Sequence, residues 1–337
     1  MKIGIDISAA IYGTGVSDYV INLVEFLPRE DLVLWGGSLR RGREIKFLFP
    51  QAKVSPLPPT TAHWLWNQLH TFDVQHLVGH VDVWHSSDWT QPPTKAKKVT
   101  TVHDLSPFLY PQELDPQIVA VHMARMKWVV KECDQIICVS NNTAADLKRL
   151  FNVSADRIKV IYEALPQRFQ LKPQITKSSN YIFTIGARQP RKNIQRLINA
   201  CLALKQKLIV VGEKPSSQVT NNQVTFTGYV FDQQLVDLLA GASVFVYPSL
   251  YEGFGLPILE AFYHGVPVAC SNTSSLPEVA GDAAIYFDPL SEEQIANAIV
   301  EATANRDKLV ATGKTQLAKF SWEKTAQETM TVYKNLL

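Results

Sequence analysis

Residues 244–281, VFVYPSLYEGFGLPILEAFYHGVPVACSNTSSLPEVAG, decide the fold of this chain. Residues 244–247 are apolar, β-branched or aromatic and predict a buried strand, and residues 266–270 predict a second one. Between them, Pro257 predicts the first turn of a helix. The segment is therefore a strand–loop–helix–strand unit, which is the building block of a parallel α/β sheet.

The loop of this unit suits a ligand that carries both phosphate and hydroxyl groups. Gly253 and Gly255 let the backbone approach a ligand closely, and the helix start offers free N–H groups to an anion. Glu252 lies in the loop, and Glu260 lies about one helical turn (~3.6 residues) beyond Pro257. Two carboxylates placed there can accept hydrogen bonds from sugar hydroxyls. A nucleotide sugar combines these groups.

The spacing Glu252-x7-Glu260, with Gly-Phe-Gly between and SSLPEVAG following, resembles the retaining glycosyltransferases of family four. The alternative is an ordinary βαβ unit with a glycine turn and two surface glutamates. The resemblance implies that the loop holds the sugar, with Glu252 catalytic, that the helix start neutralises the diphosphate, and that Glu260 binds ribose. It places six residues of this segment at the donor: Glu252, Gly253, Phe254, Gly255, Leu256 and Glu260.

Composition indicates a globular protein of two domains. The chain has 337 residues, which is too long for one typical domain. Of these residues, 46% are hydrophobic and 19% are charged, as in a globular protein. The formal net charge of +2 gives no strong field for nucleic acid, so we expect no nucleic-acid partner. The first residues predict a strand and no signal peptide, and no run approaches the ~20 apolar residues of a membrane span. These features indicate a cytoplasmic protein.

A glycine turn follows the first predicted strand, residues 2–8. Gly13 and Gly15 open a predicted helix, where their backbone N–H groups could face a diphosphate at the carboxyl end of the strand. The dinucleotide fingerprint is not met, because the third glycine is missing. A tight turn with no ligand remains the alternative. The family has a similar turn, and the resemblance therefore assigns both glycines to the donor.

Two further strand ends carry polar residues. Strand 81–87 ends at Asp88, and strand 99–103 runs into His103 and Asp104. The junction resembles that of family-four members, in which the histidine lies beside the transferred sugar and diphosphate, so we expect His103 to be catalytic. Asp88 and Asp104 are predicted on the acceptor side. Capping of a strand end and a turn is the alternative role for His103 and Asp104.

The cationic segment ARQPRKN, residues 187–193, lies between a predicted strand and a helix and suits phosphate oxygens. Lys192 matches the family's lysine and is predicted to be catalytic. Ala187 stands where the family usually has arginine, so Arg188 or Arg191 is expected to replace it at the donor. A solvated basic helix start is the alternative. Val230 and Phe231 lie where relatives line the pocket of the base.

The resemblance covers nearly the whole chain and implies the GT-B fold, with two Rossmann-like α/β domains facing each other across a cleft. The proline-bearing segment 164–180 is the predicted linker. We expect an acceptor-binding domain at 1–168, joined by a returning C-terminal helix at 322–337, and a nucleotide-sugar domain at 169–321. Alternating strands and helices argue for parallel sheets independently of the family.

The implied reaction is transfer of a sugar, with retention of configuration, from a nucleotide sugar to a glycan or lipid-linked saccharide, as in cell-envelope polysaccharide biosynthesis. GDP-mannose is the expected donor and a UDP-sugar the alternative. No metal or other cofactor is implied, because cations and a helix dipole already compensate the diphosphate. Other enzymes of similar architecture, an epimerase or a phosphorylase, would need groups that are not apparent. A catalytically silent nucleotide-sugar-binding subunit also remains open.

A basic segment lies in the predicted acceptor domain. Its cations are Arg40, Arg41, Arg43, Lys46 and Lys53, against Glu44 alone. Trp64 and Trp66 follow in a helix-like segment. Cations beside tryptophans suit an anionic membrane, so peripheral contact at the cytoplasmic face is expected, while core tryptophans beside a solvated loop are the alternative.

Overall fold

The computed structural model describes residues 1–174, 180–186, 188–214 and 222–337. The chain divides into two compact units. The N-terminal unit comprises Met1–Glu163 and Trp322–Leu337, and the C-terminal unit comprises Ala164–Ser321.

The N-terminal unit contains a seven-stranded parallel sheet in the order β3-β2-β1-β4-β5-β6-β7. Its strands are β1 Ile3–Asp6, β2 Leu32–Gly37, β3 Lys53–Ser55, β4 Val83–Ser86, β5 Lys97–Val102, β6 Gln135–Cys138 and β7 Ile158–Val160. Its helices up to this point in the chain are α1 Gly15–Phe26, α2 Gly42–Leu48, α3 Pro59–Ala62, α4 Gln75–Val78, α5 Ser106–Leu109, α6 Pro116–Glu132 and α7 Asn141–Phe151. A π-helical turn, His63–Gln68, continues α3.

The C-terminal unit contains a six-stranded parallel sheet in the order β10-β9-β8-β11-β12-β13. Its strands are β8 Ile182–Ile185, β9 Leu208–Val211, β10 Val224–Phe226, β11 Val244–Tyr247, β12 Val268–Ser271 and β13 Ala284–Phe287. Its helices are α8 Ile194–Ala203, α9 Asp232–Ala240, α10 Leu256–Tyr263, α11 Leu276–Ala280, α12 Glu292–Ala304 and α13 Arg306–Leu317.

Both sheets have the doubly wound order in which the strand sequence reverses beside the first strand. The reversal lies between β1 and β4 in one unit and between β8 and β11 in the other. The prediction of an α/β fold with two Rossmann-like units is thus confirmed. Strands β11 and β12 are buried at every residue, which explains why they appear in the sequence as continuous apolar runs.

The last helix, α14 Trp322–Asn335, packs on α1 within the N-terminal unit, as predicted. Its Trp322 lies 6.0 Å from Tyr19, ring centre to ring centre, and its Thr325 hydroxyl donates to the carbonyl of Tyr162 at 2.7 Å. Chain residues more than 150 positions apart thereby share one core.

The four cysteines, Cys133, Cys138, Cys201 and Cys270, are buried and unpaired. Within the described ranges, none of the helices combines the length and the hydropathy that crossing a bilayer requires.

Candidate active site

In the C-terminal unit, the reversal between β8 and β11 brings two sequence-distant segments to one edge of the sheet. Lys192 lies in the turn that follows β8, and Glu252 lies in the loop that follows β11. Parallel sheets bind ligands outside the carboxyl ends of their strands at such a reversal. The fold therefore places both predicted residues where an α/β unit binds small molecules.

Lys192 and Glu252 form a close ion pair. The Lys192 Nζ donates to Glu252 Oε1 at 2.5 Å and to the Tyr247 hydroxyl at 3.2 Å. The two side chains are only 17% and 11% exposed, so solvent screens the pair weakly. The sequence predicted both residues at the site but did not predict that they contact one another.

Of the two arginines left open by the sequence, Arg191 is the one that approaches Glu252. Its Nη1 lies 3.6 Å from Glu252 Oε2 and donates to the carbonyl of Tyr251 at 3.0 Å. Arg188 is 86% exposed in its side chain, and its nearest acidic partner is Glu213, at 3.8 Å. Ala187, where the family usually has arginine, lies outside the described residues.

The charges around Glu252 keep it ionised. Burial alone would raise the pKa of this carboxyl, but Lys192 and Arg191 outweigh the burial and lower the pKa below its usual value. With the buried Glu260 carboxylate nearby, two cations and two carboxylates leave the cluster with a formal charge of zero. Lys192 and Arg191 are still the cations with which an anion such as a diphosphate could pair at this edge of the sheet.

The loop that carries Glu252 is fixed by the segment after β12. The Glu252 N–H donates to Ser274 Oγ at 3.1 Å, and Ser275 Oγ donates to the carbonyls of Glu252 at 3.0 Å and Phe254 at 2.7 Å. Asn193, from the other side, donates to the carbonyl of Pro248 at 3.0 Å. The SSLPEVAG motif thus helps to hold the loop rigid.

Gly255 precedes α10 with a φ of +117°, a conformation that a residue with a Cβ rarely adopts. A Cβ at this position would also lie 3.0 Å from a methyl group of Leu276. Gly253 and Phe254 are buried in the loop, and Leu256 starts α10 half-buried. The glycine is therefore required by the backbone, whether or not a ligand binds here.

Glu260 is 5% exposed and lies on α10, and its negative charge is one of the influences that raise the pKa of Tyr247. It therefore lies near the Lys192–Glu252 pair. By contrast, Val230 is half-buried and Phe231 is 73% exposed at the start of α9. The Phe231 ring meets that of Tyr229 at 5.6 Å, which forms an exposed aromatic pair.

In the N-terminal unit, His103 is paired with Glu163, a residue that the sequence did not single out. His103 Nδ1 lies 2.8 Å from Glu163 Oε1, and the side chains are 16% and 6% exposed. Burial would lower the pKa of His103, but the carboxylates of Glu163, Asp88 and Asp104, with Glu163 foremost, together raise this pKa above its usual value. The signal that could have found Glu163 is its place just after β7, at the edge where His103 follows β5.

A buried polar chain supports this pair. The Tyr19 ring packs edge-on against His103 at 4.7 Å, and its hydroxyl lies 3.0 Å from Thr101 Oγ1. Thr101 in turn lies 2.9 Å from His85 Nε2, and His85 Nδ1 lies 2.6 Å from the Tyr333 hydroxyl on α14. Burial lowers the pKa of His85 to about 3, so this second histidine is neutral.

The remaining predicted residues also belong to the N-terminal unit. Asp104 Oδ1 accepts from the N–H and hydroxyl of Ser106, which is the turn-capping geometry. Gly13 needs to be glycine because its φ is +68°, and a Cβ at Gly15 would meet nothing within 4 Å. Asp88 lines a cavity of about 440 Å³ at the reversal between β1 and β4.

Asp6, at the carboxyl end of β1, lines the same cavity and was not among the predicted site residues. It is 3% exposed and accepts from the N–H of Ser8 at 2.9 Å. Burial raises the pKa of Asp6, and the negative charge of Asp88 adds a smaller increase. Asp6 lies within the strand predicted at residues 2–8, and the shared edge of β1 and β4 was the signal that could have paired it with Asp88.

Comparison with known proteins identifies the family of this chain. Residues 13–166 match Glycosyltransferase Family 4 and residues 167–316 match Glycosyl transferases group 1. O-antigen chain mannosyltransferase B of Escherichia coli is 34% identical over 288 residues, which cover 75% of this chain and 74% of that protein.

Solved structures show the same fold. Sucrose-phosphate synthase from Thermosynechococcus elongatus superposes with a TM-score of 0.76 at 19% identity, covering 100% of this chain and 99% of that one. Anabaena HepE, solved with UDP and glucose, gives 0.70 at 16% identity, covering 99% and 100%. With both halves matched and a relative this similar, the chain belongs to glycosyltransferase family 4 and is a glycosyltransferase.

Proposed function

We propose that this enzyme transfers mannose from GDP-mannose to a cell-envelope glycan, with retention of the anomeric configuration. The observation that carries the proposal is the Lys192–Glu252 pair at the strand reversal of the C-terminal unit. The choice of mannose is supported by the Escherichia coli O-antigen chain mannosyltransferase B. HepE, which was solved with UDP, makes a UDP-sugar the second candidate.

In this proposal the C-terminal unit binds the donor. Lys192 and the start of α10 neutralise the diphosphate, and Arg188, exposed and weakly paired, turns towards it while Arg191 braces the loop. The Glu252 carboxylate accepts hydrogen bonds from the sugar hydroxyls, and the backbone groups of Gly253 and Phe254 exchange hydrogen bonds with them. Glu260 binds the ribose, and Val230 and Phe231 contact the base.

Catalysis then rests on charge placement. Negative charge develops on the leaving diphosphate and positive charge on the oxocarbenium-like sugar, so a fixed cation and a fixed carboxylate lower the barrier together. His103 donates to the sugar or diphosphate through Nε2, because Nδ1 is occupied by Glu163. Gly13 and Gly15 add backbone N–H groups, and Asp104 supports the turn after His103.

A donor panel tests the proposal. We would incubate the protein with GDP-mannose, UDP-glucose, UDP-galactose and UDP-N-acetylglucosamine and measure slow release of the nucleoside diphosphate. Release from GDP-mannose alone is expected. Release from a UDP-sugar alone would replace mannose in the proposal, and the absence of release from any donor, with the nucleotides bound, would favour a silent binding subunit.

The ribose contact gives a separate prediction. Glu260→Gln keeps the shape of the side chain but weakens acceptance from the ribose hydroxyls. The affinity for GDP should therefore fall roughly tenfold, which corresponds to the free energy of about one charge-assisted hydrogen bond. Calorimetric titration with GDP measures this. Glu301→Gln, an exposed change on α12, is the matched control. Equal affinities in the two variants would remove Glu260 from the site.

The acceptor is proposed to bind the N-terminal unit, which also presents a basic and apolar surface around α2. Leu39 is 63% exposed, Phe47 86% and Leu48 42%. The cations Arg40, Arg43 and Lys46 are exposed on the same segment. We call these six residues the α2 surface and propose that it makes weak, reversible contact with an anionic membrane at its cytoplasmic face.

One part of the expected lipid contact is wrong. Trp66 is 0% exposed in the core beside Trp35 and Trp84, so it cannot reach lipid, whereas Trp64 is 54% exposed. Arg41 is paired with Glu44, and Lys53 donates to the carbonyl of Val78, so both are left out of the α2 surface. The proposed contact therefore depends on the six residues of the α2 surface.

Sedimentation with anionic vesicles tests the α2 surface. Wild type should sediment at low salt and stay in solution at high salt, since each exposed cation contributes about 1 kcal/mol near the bilayer. Phe47→Ser combined with Lys46→Glu should abolish sedimentation, while Lys95→Glu, an exposed cation outside the α2 surface, should not. Wild-type protein that remains in the supernatant at low salt would contradict membrane contact.

A further inference from the structure

The cavity at the strand reversal of the N-terminal unit combines groups that are rarely found together. Asp6 and Asp88 lie at the carboxyl ends of β1 and β4, with the hydroxyls of Ser8, Thr14, Ser87 and Thr90 around them. The other walls are mainly aromatic or aliphatic: Tyr12, Trp35, Leu57, Trp66 and Trp89. We call this space the Asp6 cavity. Its volume of about 440 Å³ falls within the ~300–1,000 Å³ of small-ligand pockets.

Two of the aromatic walls are fixed, because their indole N–H groups are used elsewhere. Trp35 Nε1 donates to Ser55 Oγ at 2.9 Å, and Trp66 Nε1 donates to the carbonyl of Phe72 at 3.1 Å. Trp66 is carried by the π-helical turn, a rare element that often marks functional sites. These two indoles are 1% and 0% exposed and form a rigid floor, so the ring surface that a ligand can reach belongs to Tyr12, which is 48% exposed, and to half-buried Trp89.

The charge of the lining is of one sign. Among the described residues that line the Asp6 cavity there are two carboxylates and no lysine, arginine or histidine. A phosphate or carboxylate group would be repelled by Asp6 and Asp88 and would find no cation to pair with. An alkyl chain would offer no hydrogen-bond donor to Asp6 or Asp88 and would displace water from half-buried Asp88, which is costly.

An uncharged saccharide avoids both costs. Its hydroxyls can donate to the two carboxylates and exchange hydrogen bonds with the serine and threonine side chains, while its apolar C–H face packs on the rings of Tyr12 and Trp89. This combination of ring surface and paired acceptors is complementary to a sugar ring. It matches no part of a phosphorylated ligand equally well.

We propose that the Asp6 cavity binds the uncharged terminal saccharide of the acceptor, with Asp6 and Asp88 as the residues that select neutral over anionic sugars. This inference rests on the proposed function for the reaction in which the saccharide takes part. The binding of a saccharide to the Asp6 cavity does not depend on the proposed function. Burial raises the pKa of Asp6, so this carboxyl takes up a proton more readily than an exposed one and can then donate as well as accept a hydrogen bond.

Two readouts test the proposal separately from transfer. The tryptophans of the cavity report binding by fluorescence without donor, and the KM for the acceptor reports it during turnover with GDP-mannose. The probes are octyl α-mannoside, its 6-phosphate and octanol. We expect wild type to bind octyl α-mannoside at least tenfold more tightly than either of the other two.

The variants examine the charge directly. Asp88→Asn and Asp6→Asn keep hydrogen-bonding shape and should raise the KM for octyl α-mannoside about tenfold, while the KM for GDP-mannose changes less than twofold. Both variants should also lower the preference for octyl α-mannoside over its 6-phosphate, because each removes a negative charge that repels the phosphate group. Asp156→Asn, an exposed carboxylate before β7, is the matched control and should resemble wild type.

Equal binding of the 6-phosphate, equal binding of octanol, or variants with an unchanged preference would each overturn the proposal. Fluorescence binding of octyl α-mannoside with no turnover of any donor would instead contradict the proposed function and leave the saccharide site standing.

Discussion

Replacing Lys192 by alanine should lower kcat/KM for the donor roughly 10- to 150-fold with the fold intact. One charge-assisted hydrogen bond to a diphosphate contributes about 1.5–3 kcal/mol, and each 1.36 kcal/mol corresponds to a tenfold change in rate. The loss has a second cause, since Glu252 would keep only Arg191 as a nearby cation and the carboxylates of Glu252 and Glu260 would give the site a net negative charge.

Lys192→Met separates charge from packing. The side chain of Lys192 lies against Gly186, where a Cβ would meet its methylenes at 3.4 Å, so methionine should restore the packing but not the activity. Lys207→Ala, an exposed lysine at the opposite edge of the sheet, is the control. Steady-state kinetics near the wild-type rate in Lys192→Met would place the diphosphate elsewhere.

The second large effect is expected at the His103–Glu163 pair. His103→Ala should lower kcat at least tenfold, because a donor to the developing charge is lost. Glu163→Gln should keep the hydrogen bond but remove the carboxylate that raises the pKa of His103. Burial would then lower the pKa of His103, and the charges of Asp88 and Asp104 would oppose this only partly. The other neighbours, His85 and Tyr19, are neutral and add no charge.

The sign of the pH effect follows. If protonated His103 is the active form, the alkaline limb of kcat/KM should move to lower pH in Glu163→Gln, whereas Glu25→Gln, an exposed change on α1, should leave it in place. The pair should also stabilise the fold fully below about pH 6.5, the usual pKa of histidine, and progressively less as pH rises through the raised pKa. An unshifted alkaline limb would show that Glu163 does not set the protonation of His103.

The sequence predicted the fold well because the information is local. Buried parallel strands such as β11 and β12 are continuous apolar runs, and the glycine and proline positions around α10 mark its start. The loop from Glu252 to Gly255 could also be predicted, because the residues that its backbone conformation requires lie in one contiguous segment.

What the sequence could not predict depends on long-range packing. Glu163 lies 60 positions from His103, and only the order of β5, β6 and β7 brings both to one edge of the sheet. Asp6 meets Asp88 for the same reason, through the neighbouring β1 and β4. Trp66 looked suitable for a membrane from its neighbours in sequence, but the π-helical turn directs it into the core.

The most direct test of the central claim, glycosyl transfer with the donor held at Lys192 and Glu252, is transfer of labelled mannose from GDP-mannose to octyl α-mannoside. NMR of the product reads the new linkage, and wild type and Lys192→Met are compared under the same conditions. We predict an α-linked dimannoside from wild type and at least tenfold less from the variant. A β-linked product, or equal product from Lys192→Met, would contradict the account.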